Sequence, residues 1–192
     1  LFFFIVSIFM ISQTIHPTSG QGTTSTCVDT DITGISASGS SQNFPPNNVV
    51  DKNFNTLWSI YGKGSWIQLD LGSSKNICSV NIAWYKGNER QSNFVISTSK
   101  DGSTFTKVLE KKSSGTTLNL EKYVLPETNA RYLKITVNGN TQNDYASITE
   151  AKVSIQNTIA TPPSPPSTGG GDTGDNSGAG DGFKMIYPTL TG

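Results

Sequence analysis

The chain has 192 residues, 34% of them apolar and 15% charged, a size that suits one ordinary domain with appendages. Fourteen Lys and Arg balance fourteen Asp and Glu, so the net charge is zero, and a general nucleic-acid binder with its basic excess is not expected. Two Cys and a single His leave little material for a zinc centre.

Leu1 to Ile15 holds eleven apolar residues and no charge. A spanning helix needs ~20 apolar residues and a signal-peptide core roughly 7–15. Small polar residues from Thr18 to Thr24 follow. Residues 1–26 therefore read as a truncated signal peptide or a membrane anchor with a short spacer, cleavage falling near Gly20. Either reading puts the rest of the chain outside the cytosol, secreted or on the cell surface, with a membrane as partner only if the segment is an uncleaved anchor.

Residues 27–156 read as one β-domain, with 13 basic and 11 acidic residues, too even a balance to dictate a partner. Ile67, Leu69 and Leu71 alternate with Gln68 and Asp70. Val80, Ile82 and Trp84 alternate with Ser79, Asn81 and Ala83, and Leu133, Ile135 and Val137 with Tyr132, Lys134 and Thr136. Phe94-Val95-Ile96 and Val153-Ser154-Ile155 are shorter runs. Period two in short runs broken by Gly, Asn, Asp and Pro indicates half-buried strands. Asp101-Gly102 between the Phe94 and Phe105 segments signals a hairpin. No run has sustained helical periodicity, so the expectation is an antiparallel β-sandwich. Trp58, Trp66 and Trp84 are assigned to its core.

Cys27 and Cys78 form an even count in a chain read as extracellular, the usual setting for a disulfide; two buried free thiols are the alternative. His16, the only His, lies in the targeting segment, so a metal or redox role for the thiols is not expected. Asp51, Asn53 and Thr56 crowd oxygen atoms into one short loop. By spacing alone this is a turn rich in turn-forming residues or the start of a calcium site.

Residues 157–182 include Thr161 to Gly182, TPPSPPSTGGGDTGDNSGAGDG, a stiff Pro-rich piece followed by a flexible one, and are read as a linker. Hydrophobicity returns at Phe183-Lys184-Met185-Ile186-Tyr187-Pro188, so residues 183–192 read as the start of a second domain that continues elsewhere.

Several segments of the domain resemble the coagulation factor 5/8 type C (discoidin-like) family in that family's order. They are Asn48-Val49-Val50-Asp51-Lys52-Asn53-Phe54-Asn55-Thr56-Leu57-Trp58-Ser59, Gly64 to Gly72 (GSWIQLDLG), Phe94 to Phe105 (FVISTSKDGSTF), Ala130 to Thr136 (ARYLKIT) and Ile148-Thr149-Glu150. The loops Tyr85 to Gln91 (YKGNERQ) and Asn138 to Tyr145 (NGNTQNDY) make the domain most similar to family 32 carbohydrate-binding modules, in particular those attached to bacterial alginate lyases and related polysaccharide-active enzymes.

The resemblance implies a jelly-roll sandwich of the galactose-binding-domain-like type, a structural calcium ion, and sugar recognition by loops at one end. It brings Glu150 to the Asp51 loop. The implied ligands are Asp51, Asn53, Thr56 and Glu150, completed by Asn48 and Thr149 through their carbonyls, since calcium takes about 6–8 oxygen ligands. Aromatic rings cover the apolar face of a sugar while amides, Lys and Arg satisfy its polar groups. Three loops offer these parts: Tyr61 and Lys63; Lys86, Asn88 and Arg90; and Asn138, Asn140, Asn143 and Tyr145. Arg90 and Lys86 suit a uronate carboxylate, Arg by a two-pronged bond. Galactose-binding relatives use a His that this domain lacks, so terminal galactose is not expected.

The expected function is thus a non-catalytic module of a secreted or cell-surface protein that binds polysaccharide or cell-surface glycan. Residues 27–156 contain no His, no G-x-S-x-G and no zinc-ligand cluster. Catalysis, in a polysaccharide lyase or glycoside hydrolase, would belong to a domain beyond residue 192. The competing expectation is a lipid-binding or adhesion domain of the discoidin type, which needs apolar loop tips; here only Phe44 and Tyr61 qualify.

Overall fold

The computed structural model describes residues 23–160. Of the expected targeting segment and spacer (1–26) and the expected linker (157–182), only residues 23–26 and 157–160 are described, in β1 and β8; the rest, and the stretch from Phe183, lie outside the described residues. Among the described residues there are eight strands and one 3-10 turn, and no α-helix. The strands are β1 (Thr23–Thr30), β2 (Gly34–Ala37), β3 (Trp58–Tyr61), β4 (Ser65–Trp84), β5 (Ser92–Ser99), β6 (Thr106–Lys112), β7 (Glu121–Asn140) and β8 (Tyr145–Ala160); the 3-10 turn spans Pro46–Val50.

All pairings are antiparallel, in the order β1-β8-β4-β7-β5-β6, with β2 on β4 and β3 on β8. β4 and β7 form one long ribbon whose register breaks between Asp70 and Lys75. Before the break β4 pairs with β2 and with the second half of β7; after it, β4 pairs with β8 and with the first half of β7. The ribbon thus doubles over and contributes to both layers of a jelly-roll β-sandwich. Gly72 at the break has φ +78, a conformation that glycine adopts at no steric cost, and a Cβ there would meet Thr33 Cγ2 at 3.1 Å. Since β4 and β7 each turn back, their four ends and the loops leaving them gather at one pole.

The layers meet over the residues whose alternation marks them as inward-facing. Ile67, Leu69, Leu71, Val80, Ile82, Trp84, Leu133, Ile135 and Val137 are all buried, with Trp58 and Phe94. Phe94 reaches across the sandwich to Trp84 and Tyr123, with ring centroids 5.0 and 4.7 Å apart. Aromatic pairs in such tilted and edge-on arrangements add ~0.5–1.5 kcal/mol beyond area burial. Trp66 departs from the core assignment. It shares the outer face with Gln68 and Asp70, one residue out of phase with Ile67, and is half-buried beneath Lys134, whose Nζ lies 4.6 Å from its ring centroid. Period two itself dictates that position.

Asp101-Gly102 closes the β5–β6 hairpin. Ser103 and Thr104 amides donate to Asp101 Oδ1 at 2.8 and 2.9 Å. Cys27 and Cys78 form a disulfide that ties β1 to β4, Cα atoms 6.2 Å apart across a separation of 51 residues. β1 and β8 pair from Thr23↔Ala160 to Thr30↔Val153, so the paired backbone runs past residues 27 and 156 on both sides. A ladder needs backbone groups and no apolar alternation, which is why residues 23–26 and 157–160 carry no strand signal in the sequence.

Candidate functional site: the loop pole

Backbone bonds stitch the loops at the pole together. Gly62 N–H donates to Asp144 C=O at 3.1 Å and Gly64 N–H to Val137 C=O at 2.9 Å. Thr141 N–H donates to Gln91 C=O at 2.9 Å, and Tyr85 N–H to Ser147 C=O at 3.3 Å. The three loops expected to carry the sugar contacts therefore lie side by side.

Their side chains divide into those engaged with the protein and those left open. Asn140 is engaged: its Nδ2 donates to Asn143 Oδ1 at 2.8 Å and to Tyr145 C=O at 3.1 Å, and its Oδ1 accepts from the amides of Gln142 and Asn143. Asn143 Oδ1 also accepts from Tyr145 N–H at 3.1 Å. These two residues shape the loop. Lys63 Nζ lies 3.4 Å from Asp144 Oδ1 and Lys86 Nζ 3.2 Å from Glu89 Oε2, both pairs well exposed. Asn88 is exposed. Asn138 lies instead beside Asn93 and Lys111, at β5 and β6. Tyr61 and Tyr145 sit opposite each other in the β3–β8 register, ring centroids 5.1 Å apart and edge to face, both exposed.

Arg90 is different. It is 7% exposed, and its Nε is buried without a hydrogen-bond partner among the described residues. The guanidinium lies 5.4 Å from the Tyr85 ring centroid, and Arg90 belongs to none of the ion pairs among the described residues. Burial pulls its pKa down, with Tyr85 and Glu89 opposing the shift. Even so, an arginine stays charged. Arg90 lines a cavity of about 270 Å³ with Phe44, Leu57, Tyr85, Tyr145 and three serines, Ser41, Ser59 and Ser147. A buried cation without a partner is costly unless something else supplies its hydrogen bonds. Arg90 was a candidate by sequence; its burial was not visible there, nor were the contributions of Tyr85 and Phe44 to the cavity wall.

Beside the pole, Asp51, Asn53, Thr56 and Glu150 come together as the family pattern implies. Asp51 Oδ1 accepts Asn53 N–H at 2.8 Å and Oδ2 accepts the Thr56 hydroxyl at 2.7 Å. Asn48 Nδ2 donates to Leu57 C=O at 2.9 Å, fastening the loop start to its end. Glu150 is 1% exposed, and its Oε2 accepts Lys52 N–H at 3.1 Å. Burial, reinforced by the negative charge of Asp51, pushes Glu150 up to about 7; the Lys52 amide and the charges of Lys152 and Lys52 pull the other way. Among the described residues no three His, Cys, Asp or Glu converge, so the donor set is two carboxylates plus neutral oxygens. Hard oxygens with two negative charges, one buried, fit a calcium ion better than a transition metal.

The chain matches the F5/8 type C domain family over residues 32–151. Among solved structures it is similar to the family 32 module of AlyQ in complex with 4,5-unsaturated mannuronic acid, at 42% identity and TM-score 0.64, covering 66% of this chain and 97% of that one. A truncated AlyQ with its module and alginate lyase domains matches at 40% identity and TM-score 0.66, covering 69% of this chain and 34% of that one. A pectin-binding carbohydrate-binding module matches at 28% identity and TM-score 0.62, covering 65% and 91%. No curated protein matches significantly. The chain belongs to the F5/8 type C family and carries a carbohydrate-binding domain of the family 32 kind.

Proposed function

We propose that this domain is a non-catalytic module that holds acidic, uronate-containing polysaccharide at the loop pole of a calcium-stabilised sandwich, in a secreted or cell-surface protein. The observation that carries the reading is Arg90, a buried guanidinium with an unpartnered Nε, on a small cavity walled by Phe44, Tyr85 and Tyr145. A carboxylate in that cavity would pair with the guanidinium charge, which meets no carboxylate among the described residues, and the rings would cover the apolar face of the sugar. Tyr61 extends the aromatic surface next to Tyr145. Lys63, Lys86 and Asn88 offer exposed donors, while Asn140 and Asn143 hold the loop in shape. The likeness to a module bound to unsaturated mannuronic acid supports an acidic sugar.

Titration calorimetry with mannuronate oligomers against a neutral glucan tests the reading. Binding of the acidic oligomers alone, lost in Arg90→Ala, supports it; equal binding of the neutral polymer, or an Arg90→Ala protein that binds as before, refutes it. Few side chains contact the ligand, so weak binding per site is expected. A tether of this kind raises the concentration of its partner domain at the polymer. That partner is read as a polysaccharide lyase or glycoside hydrolase domain beyond residue 192; a module of this kind and an alginate lyase domain occur together in AlyQ.

Calcium would be held by Asp51, Asn53, Thr56 and Glu150 with the carbonyls of Asn48 and Thr149, joining the early loop to β8. Its role is to neutralise two neighbouring carboxylates and fix the loop. The EDTA-treated protein should take up calcium with measurable heat and gain ~2.7 kcal/mol at a hundredfold excess over the dissociation constant. No heat and no rise in melting temperature would remove calcium from the reading. Phe44 and Tyr61 are exposed, as a lipid-binding relative would need, so liposome co-sedimentation serves as the opposing arm of the glycan experiment.

A further inference from the structure

We propose that the site takes at least two consecutive saccharide units, the second in a neighbouring cavity on the other side of Tyr85 bounded by Phe54 and Leu118. This rests on the uronate-binding reading and extends it from a single sugar to a stretch of chain. Tyr85 lines both spaces: the Arg90 cavity of about 270 Å³, and a neighbour of about 470 Å³ whose other walls are Phe54, Leu118, Asn55, Asn119, Lys86, Asn88, Glu89 and Thr149. Ligand sites usually span ~300–1,000 Å³, so each space approaches or falls within the range.

Three large apolar side chains face the second cavity from three separate segments: Phe54 (51% exposed), Leu118 (54%) and Tyr85 (40%). A single exposed apolar residue is unremarkable, but three converging on one cavity with amides between them form the surface a sugar ring requires. Asn55, Asn88 and Asn119 supply the hydroxyl partners, and Lys86, paired with exposed Glu89, supplies a cation. Arg90 would thus serve the carboxylate of one unit and Lys86 that of the next.

Both rims are held before any ligand arrives. Thr117 N–H donates to Gly87 C=O at 3.3 Å, and a Cβ on Gly87 would meet Thr117 C=O at 2.5 Å, so only glycine lets the Leu118 loop approach this closely. Glu121 Oε2 accepts Ser114 N–H at 2.8 Å and the Tyr123 hydroxyl at 2.9 Å, fixing the same loop from its far side. On the opposite rim Asn55 N–H donates to Asn53 Oδ1 at 3.0 Å, and the Asp51–Thr56 bond closes the turn that presents Phe54. Rims ordered in advance lower the entropy lost on binding.

The test is calorimetry of the intact chain with mannuronate monomer, dimer and trimer. The trimer should bind about tenfold more tightly than the monomer, and the double variant Phe54→Ala, Leu118→Ala should erase that gain while leaving monomer affinity within about twofold. Equal affinity at all lengths, or a double variant that weakens monomer and trimer alike, overturns the second subsite while leaving the Arg90 reading intact. If no uronate of any length binds, the function proposed above fails, and this inference with it.

Discussion

Two arginines mark the opposite ends of the sandwich. At the fold-over end, beside the break in β4, Arg131 grips Asp70 with two bonds, Nε to Oδ1 at 2.8 Å and Nη2 to Oδ2 at 2.9 Å. The Arg131 hydrogen bond, aided by the Gly72 amide, holds the Asp70 carboxyl below the usual carboxylate range despite the opposing effect of burial. At the loop pole Arg90 is more deeply buried, yet its Nε meets no acceptor among the described residues. The same side chain completes the scaffold at one end and leaves a valence open at the other. An arginine charge left unpaired beside a cavity is where the proposed uronate carboxylate would sit.

The largest effect that separates scaffold from site comes from the disulfide. Replacing Cys27 and Cys78 by Ala removes a link closing a 51-residue separation and, on the chain-entropy account, costs ~4 kcal/mol of unfolding free energy in urea. Oligouronate affinity of the remaining folded protein should stay unchanged, because neither cysteine lies at the pole. A shift in affinity would show that the two ends are coupled.

The arginines themselves come next. Arg90→Ala should weaken uronate binding about thirtyfold or more, the scale of a hot-spot loss, with the near-UV circular dichroism preserved. Arg90→Lys keeps the charge without the planar fork and should recover only part of the affinity. Arg131→Ala should leave binding within about twofold and lower the melting temperature modestly, since it breaks a bidentate, part-buried ion pair. If Arg131→Ala impairs binding as much as Arg90→Ala, the division into scaffold and site is wrong.

The scaffold was far more legible in the sequence than the site. Alternation at Ile67, Leu69 and Leu71 and at Val80, Ile82 and Trp84 located buried strands because one buried face imposes period two. The same rule, applied to Trp66, places it on the outer face and not in the core. The unity of β4 was hidden, since the stretch through Gly72 has no alternation and reads as a gap between two strands. At the pole, residue type identified Tyr61, Arg90 and Tyr145 as candidates but could not separate ligand contacts from loop builders. Asn140 and Asn143 differ from Asn88 only in which neighbours their amides reach. Phe54 and Leu118 gave no pattern at all, being single apolar residues in polar loops whose convergence depends on the close approach at Gly87.

The smallest effect belongs to the fold-over end. Asp101 there is held at about 2 by the amides of Thr104 and Ser103, then by the Ser99 hydroxyl, against an ordinary value of 3.8. A carboxyl whose folded value is depressed contributes stability that is complete above its unfolded value and is lost as pH falls through its folded value. The contribution of Asp101 should therefore be present at pH 5 and fade between about 3.8 and 2. Melting curves of the chain and of Asp101→Asn across that window should converge as pH falls, since the variant keeps an acceptor but has no charge to lose. Curves that stay parallel would mean that the hairpin loop draws nothing from the charge. Sugar binding at pH 7 should be the same in both proteins, because the loop pole lies at the other end of the sandwich.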